Sequence, residues 1–180
     1  MTPIEQIFTW LEGTELSLWV RGESYLAFPL ILTVHTVGMG LLAGTSAAID
    51  LRILGLAKGV PLPVLEKFYP VIWAAFAANL GSGLLLLIGY PYKAVSNPVF
   101  YVKLSFIALA IVLVLKIRNE VLRASPGHAA PVGPGAAALS MGRARILAAA
   151  SLLCWAGAIT AGRLLAYTYT WLRVGVPGGF

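Results

Sequence analysis

Charged residues are scarce in this chain, and acidic ones are the scarcest. Only 11% of its 180 residues are charged, against about 25% in soluble domains, and seven are Asp or Glu. The single cysteine, Cys154, excludes a disulfide within the chain. Paired carboxylates, cysteine clusters, Ser-His-acid arrangements and phosphate-binding loops are also missing, so we expect a protein that is not an enzyme.

Long apolar stretches are what the chain has instead. Apolar residues make up 59% of it and fall into four runs: 24–49, 68–90, 98–117 and 146–171. An α-helix needs about 20 such residues to cross a lipid bilayer. The sequence therefore predicts an all-α integral membrane four-helix bundle that forms one domain over residues 1–180.

The remaining segments are short. Residues 3–12 follow Thr2, a candidate N-cap, and place apolar side chains on one helical face, which is typical of an amphipathic helix in the membrane interface. Residues 124–142 are rich in Pro, Gly and Ala and predict a flexible cytoplasmic linker.

Basic residues are distributed unevenly about the four runs. Eight lie in the connections after the first and third runs: Arg52, Lys58, Lys67, Lys116, Arg118, Arg123, Arg143 and Arg145. The positive-inside rule then predicts that these two connections are cytoplasmic and that both termini face the periplasm or the cell exterior. The net charge of +6 is explained by these topology signals and by contact with anionic lipid, so we expect no nucleic-acid partner.

Few ionisable residues lie inside the apolar runs, and such residues indicate function by default. They are His35, Lys103 and Arg163. At about 1.5 Å per residue, His35 and Asn79 both lie about 16 Å into the bilayer. With Thr160, a little beyond the middle of the fourth run, these residues form a candidate ligand site that opens outward: His35, Asn79, Lys103, Thr160 and Arg163.

Each of these residues also has a structural interpretation. His35 and Asn79 could hydrogen-bond across two helices, and Lys103 and Arg163 could extend to the interface. Three further polar residues have positions typical of helix ends: Asp50 and Arg52 at the cytoplasmic end of the first span, and Asn97 as N-cap of the third.

Small residues four apart predict close helix packing. Such pairs are Gly40 with Gly44, Ala77 with Gly81, and Gly157 with Ala161.

Cofactor binding would centre on His35. With Met39 one turn on, it forms a weak candidate pair for copper(I). As an axial ligand it could hold haem b, with Arg163 and Lys103 near the propionates, but the only other histidine, His128, lies in the linker. A quinone could instead accept hydrogen bonds from His35 and Arg163.

Several segments carry a resemblance to a known group of proteins. They are WVRGESYLAFPLILTVHTVGMGLLAG followed by AIDLRILGL, then NPVFYVKL, and LLCWAGAITAGRLLAY. Their layout resembles an uncharacterised family of small four-span bacterial inner-membrane proteins. More distantly, the bundle is similar to copper-resistance protein D and to small b-type cytochrome bundles, although it lacks their additional intramembrane histidines.

Three functions remain open at this stage. The first is a non-catalytic membrane subunit or transporter-like accessory with an outward-facing polar site, working with a periplasmic or membrane protein or as a homo-oligomer. The second is an electron-transfer subunit that binds haem b or quinone at His35. The third is a structural anchor whose polar residues only tie helices together.

Overall fold

The computed structural model describes residues 3–22, 26–122 and 134–171, and every regular element in these ranges is helical. Two short helices come first, α1 (Pro3–Glu12) and α2 (Glu15–Arg21). The remaining helices are α3 (Ala27–Leu54), α4 (Tyr69–Gly89), α5 (Pro91–Val95), α6 (Pro98–Ile117) and α7 (Pro134–Trp171). A 3₁₀ helix, Leu62–Phe68, precedes α4, and a π-helical turn, Arg118–Leu122, extends α6.

Four of these helical segments are long and apolar enough to cross a membrane. They are Ala27–Leu54, Leu62–Gly89, Pro98–Leu122 and Met141–Thr168. The predicted fold class is therefore confirmed: the protein is all-α, with four membrane-length helices packed together and short helices before them. Helices of this length and composition imply contact with a lipid bilayer.

The ends of the helices follow local sequence signals. Asn97 caps α6 by accepting a hydrogen bond from the Val99 N–H at 3.0 Å, and Pro98 occupies the first turn. Helix α3 extends beyond the predicted residue 49 to Leu54, and Gly55 ends it with φ of +113°, a backbone conformation that favours glycine.

The segment 124–142 differs in part from a linker. Helix α7 begins at Pro134, so residues 134–142 are helical. Proline fits the first turn of a helix, and the alanines that follow have the highest helix propensity of any residue. Residues 123–133, including His128, lie outside the described residues.

The long helices form a bundle in which α3 packs against α4 and α7, and α7 packs against α6. The apolar core occupies one half of this bundle. It is built around the end of α3, the start of α4, the end of α6 and the first half of α7, with Leu42, Ile72 and Ala148 fully buried. The other half contains the candidate polar site.

The N-terminal helices pack on that other half of the bundle. Val20 of α2 is fully buried against Gly89 at the end of α4, where an added Cβ would lie 2.7 Å from a Val20 methyl carbon. Phe8 of α1 makes an edge-to-face contact with Tyr92 of α5 at 6.4 Å between ring centroids. Trp10 remains 70% exposed.

Helices α3 and α4 approach each other closely, but not at the pairs of small residues that were predicted to pack. Gly40, Gly44 and Gly81 have open space where a Cβ would be added. The close approach is at Gly38, where a Cβ would lie 3.1 Å from the Asn79 backbone nitrogen. A spacing of four residues shows that small residues share one face of a helix, but it does not show whether that face contacts another helix. On α7, Gly157 does pack closely, against the ring of Phe106.

Candidate intramembrane polar site

The site begins with reciprocal hydrogen bonds between α3 and α4. The Asn79 side-chain amide donates to the backbone carbonyl of His35 at 2.8 Å. The imidazole Nδ1 of His35 lies 3.1 Å from the Asn79 backbone carbonyl and 3.1 Å from the Ser82 hydroxyl oxygen. The two helices are therefore joined in both directions at one level of the bundle.

These contacts fix the tautomer of His35. A carbonyl oxygen can only accept a hydrogen bond, so Nδ1 carries the proton and Nε2 is left with a lone pair. Nε2 lies 3.3 Å from the Lys103 ammonium nitrogen. Lys103 therefore donates a hydrogen bond to His35, and the imidazole orients the ammonium group.

Lys103 reaches His35 from α6, which is not a principal neighbour of α3. Helix α6 packs principally on α7, while α3 packs on α4 and α7. The Lys103 side chain passes Gly162 of α7, where a Cβ would lie 3.7 Å from Lys103 Cε. Gly83 of α4 makes room for the imidazole in the same way, since a Cβ there would lie 3.1 Å from His35 Cε1.

The charge of Lys103 has no carboxylate beside it. Helices α4, α6 and α7 contain no Asp or Glu, and α3 contains only Asp50. Asp50 lies fifteen residues from His35, or about 22 Å along the helix axis. Glu66 and Glu120 form ion pairs with Arg118 and Arg143. Glu12 and Glu15 belong to the N-terminal helices, and the ion pairs among the described residues do not include Lys103. The hydrogen-bond neighbour of its ammonium group is the His35 imidazole.

Two residues of the predicted site lie apart from this cluster. Thr160 and Arg163 are exposed on the surface of α7. The residue of this turn that lies next to Lys103 is instead Gly162. The structure thus brings together His35, Asn79 and Lys103, but leaves Thr160 and Arg163 outside.

Met39 is half-buried and packs against the apolar core. Within the described ranges, no group of three His, Cys, Asp or Glu side chains is placed to hold a metal ion.

The remaining polar residues predicted at helix ends have separate contacts. Arg52 turns to the connection after α3 and donates to the Val60 and Lys58 carbonyls at 2.7 and 3.1 Å. Asp50 instead turns inward and is 1% exposed. Asn97, besides capping α6, donates from its amide to the Thr168 hydroxyl of α7 at 2.9 Å.

Sequence reasoning missed Ser82, Gly83 and Gly162. Ser82 and Gly83 follow Asn79 by three and four residues, and this spacing places them on the same helical face. That signal could have identified them. No comparable signal identified Gly162, because its role depends on the rotation of α7.

Comparison with family models, with characterised protein sequences and with solved structures gave no significant match. The four long apolar helices agree with the layout of a small four-span membrane protein, and no family is identified.

Proposed function

We propose that this protein is a non-catalytic, polytopic inner-membrane subunit that binds a small molecule through an oxygen atom, which accepts a hydrogen bond from the Lys103 ammonium group that His35 orients. The observation that supports it is the Lys103 ammonium held 3.3 Å from His35 Nε2 with no carboxylate on α4, α6 or α7. A cation inside a bilayer is costly, and an anionic or carbonyl oxygen from a ligand would offset that cost. The ligand class is therefore a carboxylate or a quinone-type carbonyl compound.

The distribution of basic residues supports a proposed orientation for this site. By the positive-inside rule the connections after α3 and α6 face the cytoplasm, and both termini face the periplasm. Lys103 lies one and a half turns from the start of α6 and His35 two turns into α3, so the site opens toward the periplasmic side. A periplasmic or membrane partner, or a second copy of the chain, would meet it there.

A binding titration tests this function. The chain has two histidines, so histidine-selective 15N labelling gives two imidazole spectra, and His35→Ala assigns one of them. We expect a short-chain benzoquinone or benzoate, added to the protein in mild detergent, to shift the His35 signals. Lys103→Met should abolish the shift, whereas Lys116→Met, at the opposite end of α6, should preserve it. If neither probe shifts the His35 signals of the unmodified protein, the binding proposal is wrong.

Electron transfer through haem b is a second candidate, and one observation favours it. An Nδ1–H group bonded to a carbonyl, with Nε2 left unprotonated, is the usual arrangement of a metal-ligating histidine. Iron at Nε2 would require the Lys103 ammonium to move away, and this favours the first candidate. A reduced-minus-oxidised visible spectrum of protein purified from its native membrane separates the two, since stoichiometric α and β bands would establish haem.

The structural-anchor function remains as the outcome in which neither ligand binds. The reciprocal bonds between His35 and Asn79 favour it, because they join α3 to α4 without a ligand. In that case His35→Ala would lower the free energy of unfolding by about 1 kcal/mol, the cost of an interhelical hydrogen bond in a membrane, and would change nothing else.

A further inference from the structure

A second group of polar atoms is buried between α3 and α7, at the opposite end of the bundle from Lys103. Asp50 Oδ2, Ser46 Oγ, Ser151 Oγ and Trp155 Nε1 are each fully buried with no hydrogen-bond partner. Their residues are between 0% and 2% exposed. Buried polar groups without a partner are rare in folded proteins, so each of them calls for a physical explanation.

The arrangement of these residues follows from helical spacing. Ser46 precedes Asp50 by one turn on α3. Both residues line a narrow gap in the packing, called the interstice below, together with Tyr69 and apolar side chains of α3, α4 and α6. Ser151 of α7 lies beside the Asp50 carboxyl group, and Trp155 follows Ser151 by one turn. The space in the interstice is too small for a water molecule. Solvent therefore does not satisfy Asp50 Oδ2 there.

No cation among the described residues faces this carboxyl group. On α3 itself, Arg52 is engaged by the Val60 and Lys58 carbonyls. The interstice is lined by Tyr69 from α4, whose hydroxyl donates to the Val114 carbonyl, and by Val114 and Ile117 from α6.

The charged residues on the neighbouring elements meet other groups or are exposed, as Lys58, Lys67 and Lys116 are. Arg118 lies over the Tyr69 ring and pairs with Glu66 of the 3₁₀ helix. Arg143 of α7 pairs with Glu120, and Arg145 is exposed.

We propose that Asp50 is a proton-binding site inside the bundle, where it carries its proton as a neutral carboxylic acid between α3 and α7. An ionised carboxylate buried without a cation costs several kcal/mol, whereas a neutral carboxyl group is itself a donor. Its O–H can donate to the Ser151 or the Ser46 hydroxyl. The added proton thus gives the Asp50 carboxyl group a donor, so that it and one serine hydroxyl form a hydrogen bond.

The position of Asp50 provides a short route for that proton. It lies four residues before the end of α3, about 6 Å from the connection at residues 55–60, whose residues 56–60 are exposed. Loss of the proton would leave a negative charge at the contact between α3 and α7, and those helices would have to separate or admit water. Proton occupancy is therefore coupled to the packing of α7 against α3. This proposal is independent of the ligand at Lys103.

Asp50 is the only aspartate in the chain, which makes the test specific. Aspartate labelled with 13C at its side-chain carboxyl carbon, Cγ, can be introduced by cell-free synthesis. It gives one side-chain carboxyl resonance in the full-length protein. An ordinary aspartate is ionised above about pH 5, roughly one unit above its usual titration midpoint. We expect the protonated resonance and its infrared carbonyl band to persist at about pH 5.5 in lipid vesicles. The ionised form at that pH, with or without added sodium, would overturn the proposal.

Thermal unfolding supplies a second readout, which does not require the Asp50 carboxyl resonance to be assigned. Because the folded chain holds a proton that the unfolded chain releases, stability should fall as the pH rises. Asp50→Asn keeps a donor in the same place but cannot ionise. The unfolding temperature of this variant should therefore fall less steeply with rising pH than that of the unmodified protein. Glu120→Gln, which removes an exposed acid, is the matched control and should retain it. Equal pH dependence in Asp50→Asn and the unmodified protein would contradict the proposal.

Discussion

Three groups of His35 make contacts, and each group has a different role. Its backbone carbonyl accepts from Asn79, its Nδ1–H group meets the Asn79 carbonyl and the Ser82 hydroxyl, and its Nε2 accepts from Lys103. The first two contacts belong to the α3–α4 pair and hold the ring in one orientation. The third is the contact with which a ligand would compete for the Lys103 protons.

At Gly38 the backbones of α3 and α4 approach so closely that an added Cβ atom would crowd α4. In Gly38→Ala, the new Cβ would lie 3.1 Å from the Asn79 nitrogen and 3.3 Å from the Ala75 carbonyl oxygen, so backbone would have to move. We expect the free energy of unfolding to fall by about 1–3 kcal/mol, the usual cost of overpacking. Thermal unfolding in detergent measures it.

Gly44→Ala is the control for that prediction. Gly44 lies on the same helix with open space around it, so alanine should be neutral or slightly stabilising through its higher helix propensity. Equal destabilisation by the two variants would contradict the close approach at Gly38.

At the scale of the helices, α7 sets the distance between α3 and α6, and Gly162 sets the route of Lys103. Gly162→Leu would place a branched side chain beside Lys103, because a Cβ added at residue 162 would already lie 3.7 Å from Lys103 Cε. We expect the contact between Lys103 and His35 to be lost, with a change in the His35 15N signals. Gly142→Leu, at an exposed glycine of the same helix with open space around it, should leave those signals unchanged.

Asn97 connects the start of α6 to the end of α7. Asn97→Ala removes both the N-cap bond to Val99 and the bond to Thr168, whereas Thr168→Val removes only the second. We expect Asn97→Ala to lower the free energy of unfolding by about 1–2 kcal/mol and Thr168→Val by less than 1 kcal/mol. If the two losses were equal in denaturation experiments, the cap would contribute nothing.

For the molecule as a whole, the orientation in the membrane can be measured with single cysteines. In a Cys154→Ala background, Lys93→Cys tests α5 and Lys58→Cys tests the connection after α3. We expect a membrane-impermeant maleimide to label Lys93→Cys in intact spheroplasts, and Lys58→Cys only after the membrane is permeabilised, because basic residues favour the cytoplasmic side. The reverse pattern would place the His35 site toward the cytoplasm.

The helices could be predicted well from sequence because their signals are local. Asn97 and Pro98 mark the start of α6, and the apolar runs mark the four spans within a few residues at most ends. The beginning of α7 was missed because glycines and prolines at 124–142 outweighed the alanines among them.

The site could be predicted only in part, because it depends on how each helix is rotated. Thr160 and Gly162 are two residues apart, which turns them about 200° from one another, and the sequence gives no reason to prefer either. His35 and Asn79 were placed at one level correctly, since depth follows from residue counts. That Lys103 of α6 passes Gly162 of α7 and reaches His35 of α3 depends on tertiary packing, for which the sequence has no local signal.

The main cluster of buried apolar side chains lies in the half of the bundle that also contains Asp50, and the hydrogen bonds of His35 lie in the other half. Hydrogen bonds within membranes contribute about 0.6 kcal/mol on average, so the half around His35 has less free energy opposing its separation. The bundle should therefore open transiently from that end while the other end remains closed. Amide hydrogens of α3 near residues 30–38 should exchange faster than those near residues 42–53. A small molecule could then enter between the helices without unfolding the protein.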